Sequence, residues 1–144
     1  MTEQNYRNHR RMVPMFHGVL FGLIVVTLVG SFVNLYQSFG DHQRIYSASL
    51  LVMLMIIVVL LFFFCRIFAL KAQDRAIRAE ENLRHFVLTG KLLDPRLTVR
   101  QVVGLRFAAD DEFAALAQKA ADEKLSEDAV KRAVARWRPD TYRV

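Results

Sequence analysis

The chain has 144 residues, of which 53% are hydrophobic and 24% are charged, and its formal net charge is +6. This length leaves room for two membrane-spanning helices and one small additional unit, and no more. The single cysteine, Cys65, excludes a disulfide bond within the chain, so cysteine usage does not indicate the redox compartment.

Two long apolar stretches predict membrane-spanning helices. Residues 46–64 form a run of nineteen residues without a formal charge, and residues 13–36 form an earlier uncharged run. At about 1.5 Å per residue, each run can cross a hydrocarbon core of about 30 Å as a helix. We therefore expect an all-α membrane protein built on a two-span helical hairpin. Its expected parts are a cytoplasmic tail (1–12), span one (13–36), an external loop (37–45), span two with a cytoplasmic extension (46–90) and a three-helix unit (91–144).

Basic residues predict the orientation of this hairpin. The loop between the spans carries one basic residue, Arg44, beside Asp41. The flanking segments carry more: Arg7, Arg10 and Arg11 before span one, and Arg66, Lys71, Arg75 and Arg78 after span two. Because basic residues near span ends stay in the cytoplasm, both termini are expected there. The four residues after span two would also attract anionic lipid head groups, although the orientation alone explains them.

Span two is expected to continue as one helix well past the membrane. Neither glycine nor proline occurs from residue 66 to residue 89, and alanine, leucine, arginine and glutamate are frequent there. The composition predicts a helix over residues 45–88, ended by Gly90 and supported by a Glu80–Arg84 pair one turn apart.

This long helix carries a stripe of mostly small residues at heptad spacing. Its members follow alternating steps of three and four residues: Ala69, Ala72, Ala76, Ala79, Leu83 and Phe86. Such a stripe, here called the alanine seam, is typical of the a and d positions of a coiled coil. The partner of the seam is expected to be either the same helix in a second copy or the three-helix unit folded back. The alternative is a surface helix in which alanine is simply a common residue.

The last fifty residues predict three short helices. Thr98 and Gln101 have the spacing of a capping box, and the acidic residues 110–112 suit the start of a second helix. Ser126 is expected to cap a third helix, which runs through Trp137 and ends at Pro139.

Span one presents two different faces. One face carries the small residues Gly18, Gly22 and Gly30, which permit close helix contact in lipid. The other face, here called the polar stripe, follows heptad spacing: His17, Leu20, Ile24, Thr27, Ser31, Asn34 and Ser38. Polar side chains within a span avoid lipid. The polar stripe therefore predicts either hydrogen bonds between helices or, if several copies assemble, the lining of a simple pore.

Catalysis and nucleic-acid binding find little support. The four histidines, at positions 9, 17, 42 and 85, are scattered over both sides of the membrane, so no metal or other cofactor site is expected. No nucleophile triad or glycine-rich phosphate loop occurs. The last predicted helix is basic, but Glu127 and Asp128 at its start would repel the phosphates of DNA.

Both ends of the chain resemble those of one protein family. Gln4-Asn5-Tyr6-Arg7-Asn8-His9, with Pro14 and His17 beyond it, is similar to the opening of a family of small bacterial two-span membrane proteins of unknown function. The segments 105–113 and 137–140 (Trp-Arg-Pro-Asp) resemble the C-terminal signature of that family. The resemblance implies a bacterial inner-membrane location and brings no activity with it.

The sequence therefore predicts a non-enzymatic, homo-oligomeric inner-membrane protein that acts as a scaffold or a simple pore. The alternative is an accessory subunit that regulates a larger membrane complex through its cytoplasmic helices. The expected partners are a second copy of the chain, membrane lipid or another membrane protein, rather than nucleic acid.

Overall fold

The computed structural model of the chain describes residues 4–9 and 12–140. It contains a π-helical turn, Met15–Leu20, which leads directly into α1, Phe21–Gln37. Four further helices follow: α2 (His42–Thr89), α3 (Val99–Leu105), α4 (Asp110–Asp122) and α5 (Glu127–Ala133). No strand occurs in these described ranges, where the only extended pairing is a single bridge between Ala108 and Trp137. The predicted all-α fold is confirmed for this part of the chain.

The chain divides into two compact units. Residues 12–68 form the first, here called the hairpin, and the described residues before 12 join those after 68 in the second, here called the terminal unit. Helix α2 contributes to both units. Arg10 and Arg11, which entered the orientation argument, lie outside the described residues.

The hairpin is built from helices long and apolar enough to cross a membrane, over Met15–Gln37 and the apolar part of His42–Thr89. Its buried residues recur at helical spacing on each helix: Ile24, Ser31 and Ser38 on one side, and Ala48, Val52 and Met55 on the other. Most of the remaining apolar side chains are exposed. This distribution is the one expected of helices surrounded by lipid rather than by water.

Helix α2 begins earlier than the composition predicts. Asp41 caps its start, because the Asp41 Oδ1 atom accepts hydrogen bonds from the backbone N–H groups of Gln43 at 3.0 Å and Arg44 at 3.2 Å. The preceding turn uses Gly40 at φ +97°, a conformation that favours glycine. The predicted stop is confirmed: Gly90 adopts φ +73° directly after the last helical residue, Thr89.

The terminal unit has its own hydrophobic core. Its largest fully buried side chains come from the segment between α3 and α4 and from α4 itself, namely Phe107 and Phe113, with Leu105, Val102 and Val130 around them. The capping box of Thr98 and Gln101 is confirmed, and the Ser126 hydroxyl accepts from the Ala129 N–H at 3.1 Å. The predicted caps therefore set where α3 and α5 begin.

The third predicted helix is shorter than expected. Helix α5 ends at Ala133, and Val134 is already extended, so the prediction of helix through Trp137 is wrong. The Glu112 carboxylate accepts hydrogen bonds from the N–H groups of Ala135 and Arg136, both at 3.0 Å. Because these donors find partners on α4, the chain leaves the helix and pairs in extended form with residues 107–109.

Candidate functional site

One face of α2 holds the helices of the terminal unit. Arg84 is the centre of this contact: its Nη1 donates to Glu81 Oε2 at 2.9 Å, its Nε to Asp110 Oδ1 at 2.7 Å and its Nη2 to the Ala108 carbonyl at 2.7 Å. The guanidinium also lies 4.3 Å from the centroid of the Phe113 ring. Arg84 thus pairs with Glu81, and the predicted Glu80–Arg84 pair is wrong.

The alanine seam lies on the opposite face of the same helix. At 100° per residue, the centre of residues 72–86 of the seam is about 150° from the buried face that contains Ile77, Glu81 and Arg84. Accordingly, Ala72, Ala76 and Ala79 are exposed, and Ala69 is half-buried. The two large members of the seam are exposed as well, Leu83 by 63% and Phe86 by 49%. The three-helix unit does fold back onto α2, but onto the face opposite the seam. The prediction that this unit covers the seam is therefore wrong.

Charged residues flank the exposed part of the seam. Taking Ala76 as position a and Ala79 as position d, Arg75 falls on position g and Glu80 on position e. Both side chains are exposed, and neither forms an ion pair with another residue in the described part of the chain. Val87 at the end of the helix and Leu92 after it are also exposed, by 75% and 63%.

The polar stripe of span one divides into two rows. Ile24, Ser31 and Ser38 are buried, with exposures of 8%, 2% and 4%, on the face of α1 that packs within the hairpin. The hydroxyls of Ser31 and Ser38 donate to carbonyls of their own helix, at Leu28 and Asn34.

The second row remains on the surface. It comprises Leu20, Thr27 and Asn34, all exposed, while His17 near the start of the span is half-buried. The Thr27 hydroxyl donates to the Leu23 carbonyl at 2.8 Å, again within one helix. The hydroxyls of Thr27, Ser31 and Ser38 therefore all donate to backbone carbonyls of α1 and need no partner on a second helix.

The glycine face of span one is open. An added Cβ atom at Gly18, Gly22 or Gly30 would meet no heavy atom within 4 Å. These glycines consequently take part in no close packing inside the described chain.

The basic residues after span two differ in exposure. Arg66 is half-buried, with its guanidinium 5.9 Å from the centroid of the Phe16 ring. The others, Lys71, Arg75 and Arg78, are exposed.

The two ends of the chain meet in the terminal unit, a contact that the sequence did not predict. The Tyr6 hydroxyl donates to Asp128 Oδ1 at 2.5 Å and accepts from Arg132 Nε and Nη2 at 3.2 and 3.1 Å. The imidazole of His9 lies 5.7 Å from the Phe107 ring and 5.8 Å from the Trp137 ring, measured between centroids. The only sequence signal was that residues 4–9 and 137–140 both belong to segments with a family resemblance.

This contact alters the acidity of its charged members. The hydrogen bond from Tyr6 lowers the pKa of Asp128 below its ordinary value, and the positive charge of Arg132 acts in the same direction. The Arg132 pKa is raised, first by Tyr6 and then by Asp128. Both residues therefore keep their charges at neutral pH.

A shallow cleft of about 560 Å³ lies between α3 and the turn that joins α4 to α5. Two of the three cations that line it lie near carboxylates: Arg96 binds Asp94 at 2.7 Å and Asp122 at 2.8 Å, and Arg100 lies 3.6 Å from Glu127. Within residues 4–9 and 12–140, no three His, Cys, Asp or Glu side chains converge as metal ligands. The exposed faces of α1 and α2 are further candidate surfaces for other molecules.

Comparison with known proteins gives one match. A family described as a family of unknown function, DUF6526, matches residues 1–144. No curated protein and no solved structure is significantly similar to the chain. The expectation of an uncharacterised family is confirmed over the whole chain.

Proposed function

The chain belongs to this family of unknown function, and we propose that it is a non-enzymatic scaffold of the bacterial inner membrane that self-associates through the alanine seam. One observation carries the proposal: the seam is exposed, while the chain's own helices occupy the opposite face of α2. Monomeric soluble surfaces rarely expose large contiguous apolar patches, and those that do so generally bind another surface.

The membrane location rests on the hairpin. Two helices are long and apolar enough to cross a membrane. In the sequence, the hairpin that they form lies between the two parts of the terminal unit, residues before 12 and residues after 68. Because residues before and after the hairpin belong to one unit, they must lie on the same side of the membrane. An even number of spans returns the chain to the side from which it started. We take that side to be the cytoplasm, because basic residues flank the hairpin. Lys71, Arg75 and Arg78 would lie near anionic head groups, each attracted by about 1 kcal/mol.

A second copy of the chain suits the seam better than a foreign helix does. Two copies inserted in the same orientation present α2 in parallel, and alanine at positions a and d lets parallel backbones approach closely. In a parallel pair, position g of one helix faces position e of the next heptad on the other helix. Arg75 would therefore meet Glu80 of the second copy, five residues further along, and the same ion pair would form twice.

The mass of the detergent-solubilised particle tests this association. We expect a defined multiple of the 16.6 kDa chain. Ala76→Glu places two carboxylates in the seam and should give monomers, whereas Ala115→Glu, at an exposed position of α4, should leave the mass unchanged. A particle that contains one copy in the unsubstituted protein would refute the proposal.

A charge exchange tests the parallel arrangement. Arg75→Glu should weaken the assembly, because two pairs of like charges would then face each other. The double variant Arg75→Glu with Glu80→Arg should restore it. Equal masses for the single and double variants at all protein concentrations would contradict this register.

A simple pore lined by span one is a weaker reading of the same assembly. Lining a pore with the whole polar stripe would require Ile24, Ser31 and Ser38 to leave the hairpin interior, where they are buried. Only the exposed row that contains Asn34 is available without rearrangement. Asn34→Leu and Leu20→Asn, both in the exposed row, should change ion flux through liposomes in opposite directions if the pore exists, and unchanged flux in both would exclude it.

The alternative is an accessory subunit of a larger membrane complex. Val87 and Leu92 are exposed apolar residues outside the seam, and a partner other than a second copy would cover them. Purification distinguishes the two functions. A scaffold is recovered as a homo-oligomer, whereas an accessory subunit is recovered as a monomer or together with a different protein.

A further inference from the structure

We propose that the surface formed by Phe107, Asp128, Arg132 and Trp137 is a peptide-binding site whose ligand is the chain's own segment 4–9. The recognised pattern is Gln-x-Tyr-x-x-His, in which Gln4, Tyr6 and His9 make the contacts. This inference is independent of self-association, because it concerns a contact within one copy.

A charged pair on α5 recognises the tyrosine. Asp128 and Arg132 lie one helical turn apart and form an ion pair at 3.0 Å, and the Tyr6 hydroxyl bonds to both. The hydroxyl donates to the carboxylate and accepts from the guanidinium, so it satisfies two fixed charges at once. The guanidinium also lies 5.1 Å from the centroid of the Tyr6 ring. Phenylalanine would keep the ring contact and lose both hydrogen bonds.

An aromatic pair recognises the histidine. The rings of Phe107 and Trp137 lie 4.8 Å apart, and the His9 imidazole contacts both of them. The extended conformation after α5 is what brings Trp137 to this position, since the bridge to Ala108 aligns it beside Phe107. The His9 Nδ1 atom also lies 2.7 Å from the Tyr6 carbonyl, which fixes the turn between the two recognised side chains.

A reciprocal contact sets the position of the peptide along the site. The Gln4 side-chain carbonyl accepts from the Asp140 N–H at 2.7 Å, and its amide group lies 3.5 Å from the Asp140 carbonyl. The Asp140 carboxylate in turn lies 3.2 Å from Arg106 Nε. Three side chains of the segment therefore bind at three separate points, which distinguishes recognition from a single chance contact.

Occupancy of this site ties the segment before span one to the helices after span two. Residues 10 and 11 are all that separates the segment from the hairpin, so we take its effective concentration at the site to be on the order of 1 mM, the scale for a short connection. A contact that persists within the chain therefore implies a dissociation constant below about 1 mM for the free peptide.

The test uses the full chain without residues 2–9 and a synthetic peptide of residues 2–12. Trp137 is the only tryptophan of the chain and serves as the reporter, since His9 contacts its ring. We expect a saturable change in tryptophan emission with half-saturation below about 1 mM. A peptide with Tyr6→Phe should bind at least tenfold more weakly, because the hydrogen bonds of the Tyr6 hydroxyl to the charged groups of Asp128 and Arg132 are lost.

A peptide with the same composition in scrambled order is the control and should not saturate. If the unsubstituted peptide produces no saturable change at several times 1 mM, or if the scrambled peptide binds equally well, the proposal is overturned. A second measurement covers the case in which the shortened chain fails to fold. In the full chain, Tyr6→Phe with His9→Ala should alter the emission and solvent accessibility of Trp137, and unchanged values would also overturn the proposal.

Discussion

Replacing Arg84 by methionine tests whether the ion pair with Glu81 fixes the terminal unit on α2. The two side chains are almost fully buried, with exposures of 11% for Arg84 and 8% for Glu81. Methionine keeps much of the length and apolar contact of the arginine stem but has no charge and no donor. The substitution would therefore leave the Glu81 carboxylate buried without its partner.

The expected cost follows from this burial. Removing one member of a buried ion pair costs about 3–5 kcal/mol, because the remaining charge loses its compensation. The hydrogen bond to the Ala108 carbonyl and the contact with the Phe113 ring are lost as well. A hydrophobic core as small as that of the terminal unit rarely supplies more than about 3–5 kcal/mol. The substitution should thus consume most of the stability of the terminal unit while leaving the hairpin intact.

Amide hydrogen exchange on the full chain in detergent measures this loss. In Arg84→Met, the amides of α4 should exchange at least a hundredfold faster, since about 2.7 kcal/mol corresponds to that factor. Arg78→Met is the matched control, because Arg78 is exposed on the same helix. Protection within α1 should change in neither variant.

The double variant Glu81→Leu with Arg84→Met should recover most of the protection. Replacing both members of a buried pair by apolar residues of similar size is often neutral or stabilising. If the amides of α4 exchange at the same rate in Arg84→Met and Arg78→Met, the ion pair between Glu81 and Arg84 contributes nothing to the stability of the terminal unit. If the double variant is as poorly protected as Arg84→Met, the cost arises from lost hydrogen bonds rather than from an uncompensated Glu81.

Three further predictions concern the turn before α5 and the contact between the chain ends. Lys124 adopts φ +51° directly after α4; Lys124→Gly should stabilise the terminal unit by about 1 kcal/mol in thermal unfolding, whereas Lys124→Ala should not. Ser126→Ala removes the cap of α5 and should destabilise the unit by about 1 kcal/mol, whereas Ser126→Asp should preserve its melting temperature. The depressed pKa of Asp128 means that its stabilising contribution is complete above about pH 4 and is lost as the pH falls through the lower folded value. The Trp137 emission should follow this loss in a titration from neutral to acidic pH, and Tyr6→Phe should move the midpoint to higher pH.

The features of the fold that depend on local sequence were predictable. Uninterrupted apolar runs, the absence of glycine and proline in residues 66–89, and the capping residues Thr98 and Ser126 each act within a few positions along the chain. Their consequences, two candidate spans and correctly placed starts of α3 and α5, accordingly agree with the structure. The early start of α2 was equally local, and Asp41 before Gln43 and Arg44 was a usable cap signal.

The features that depend on distant residues were not predictable. Glu112 draws residues 135 and 136 out of the helical pattern, although the sequence around them favours a helix. Arg84 pairs with Glu81 rather than Glu80, on the face of α2 where Asp110 at the start of α4 and Ala108 just before it accept its other hydrogen bonds. The π-helical turn at Met15–Leu20 also has no counterpart in the apolar pattern, since hydrophobicity does not distinguish it from an α-helical turn.

The distribution of charge over α2 explains why its two faces suit different partners. A charged pair buried on one face must find all its hydrogen-bond partners within a fixed geometry, and the terminal unit supplies them through Asp110 and Ala108. Such a face accepts one arrangement only, because any displacement leaves a buried charge uncompensated. The alanine seam has no such requirement, since its central residues are apolar and the charges of Arg75 and Glu80 remain in solvent. The proposed association through the seam can therefore form and dissociate while the terminal unit stays folded.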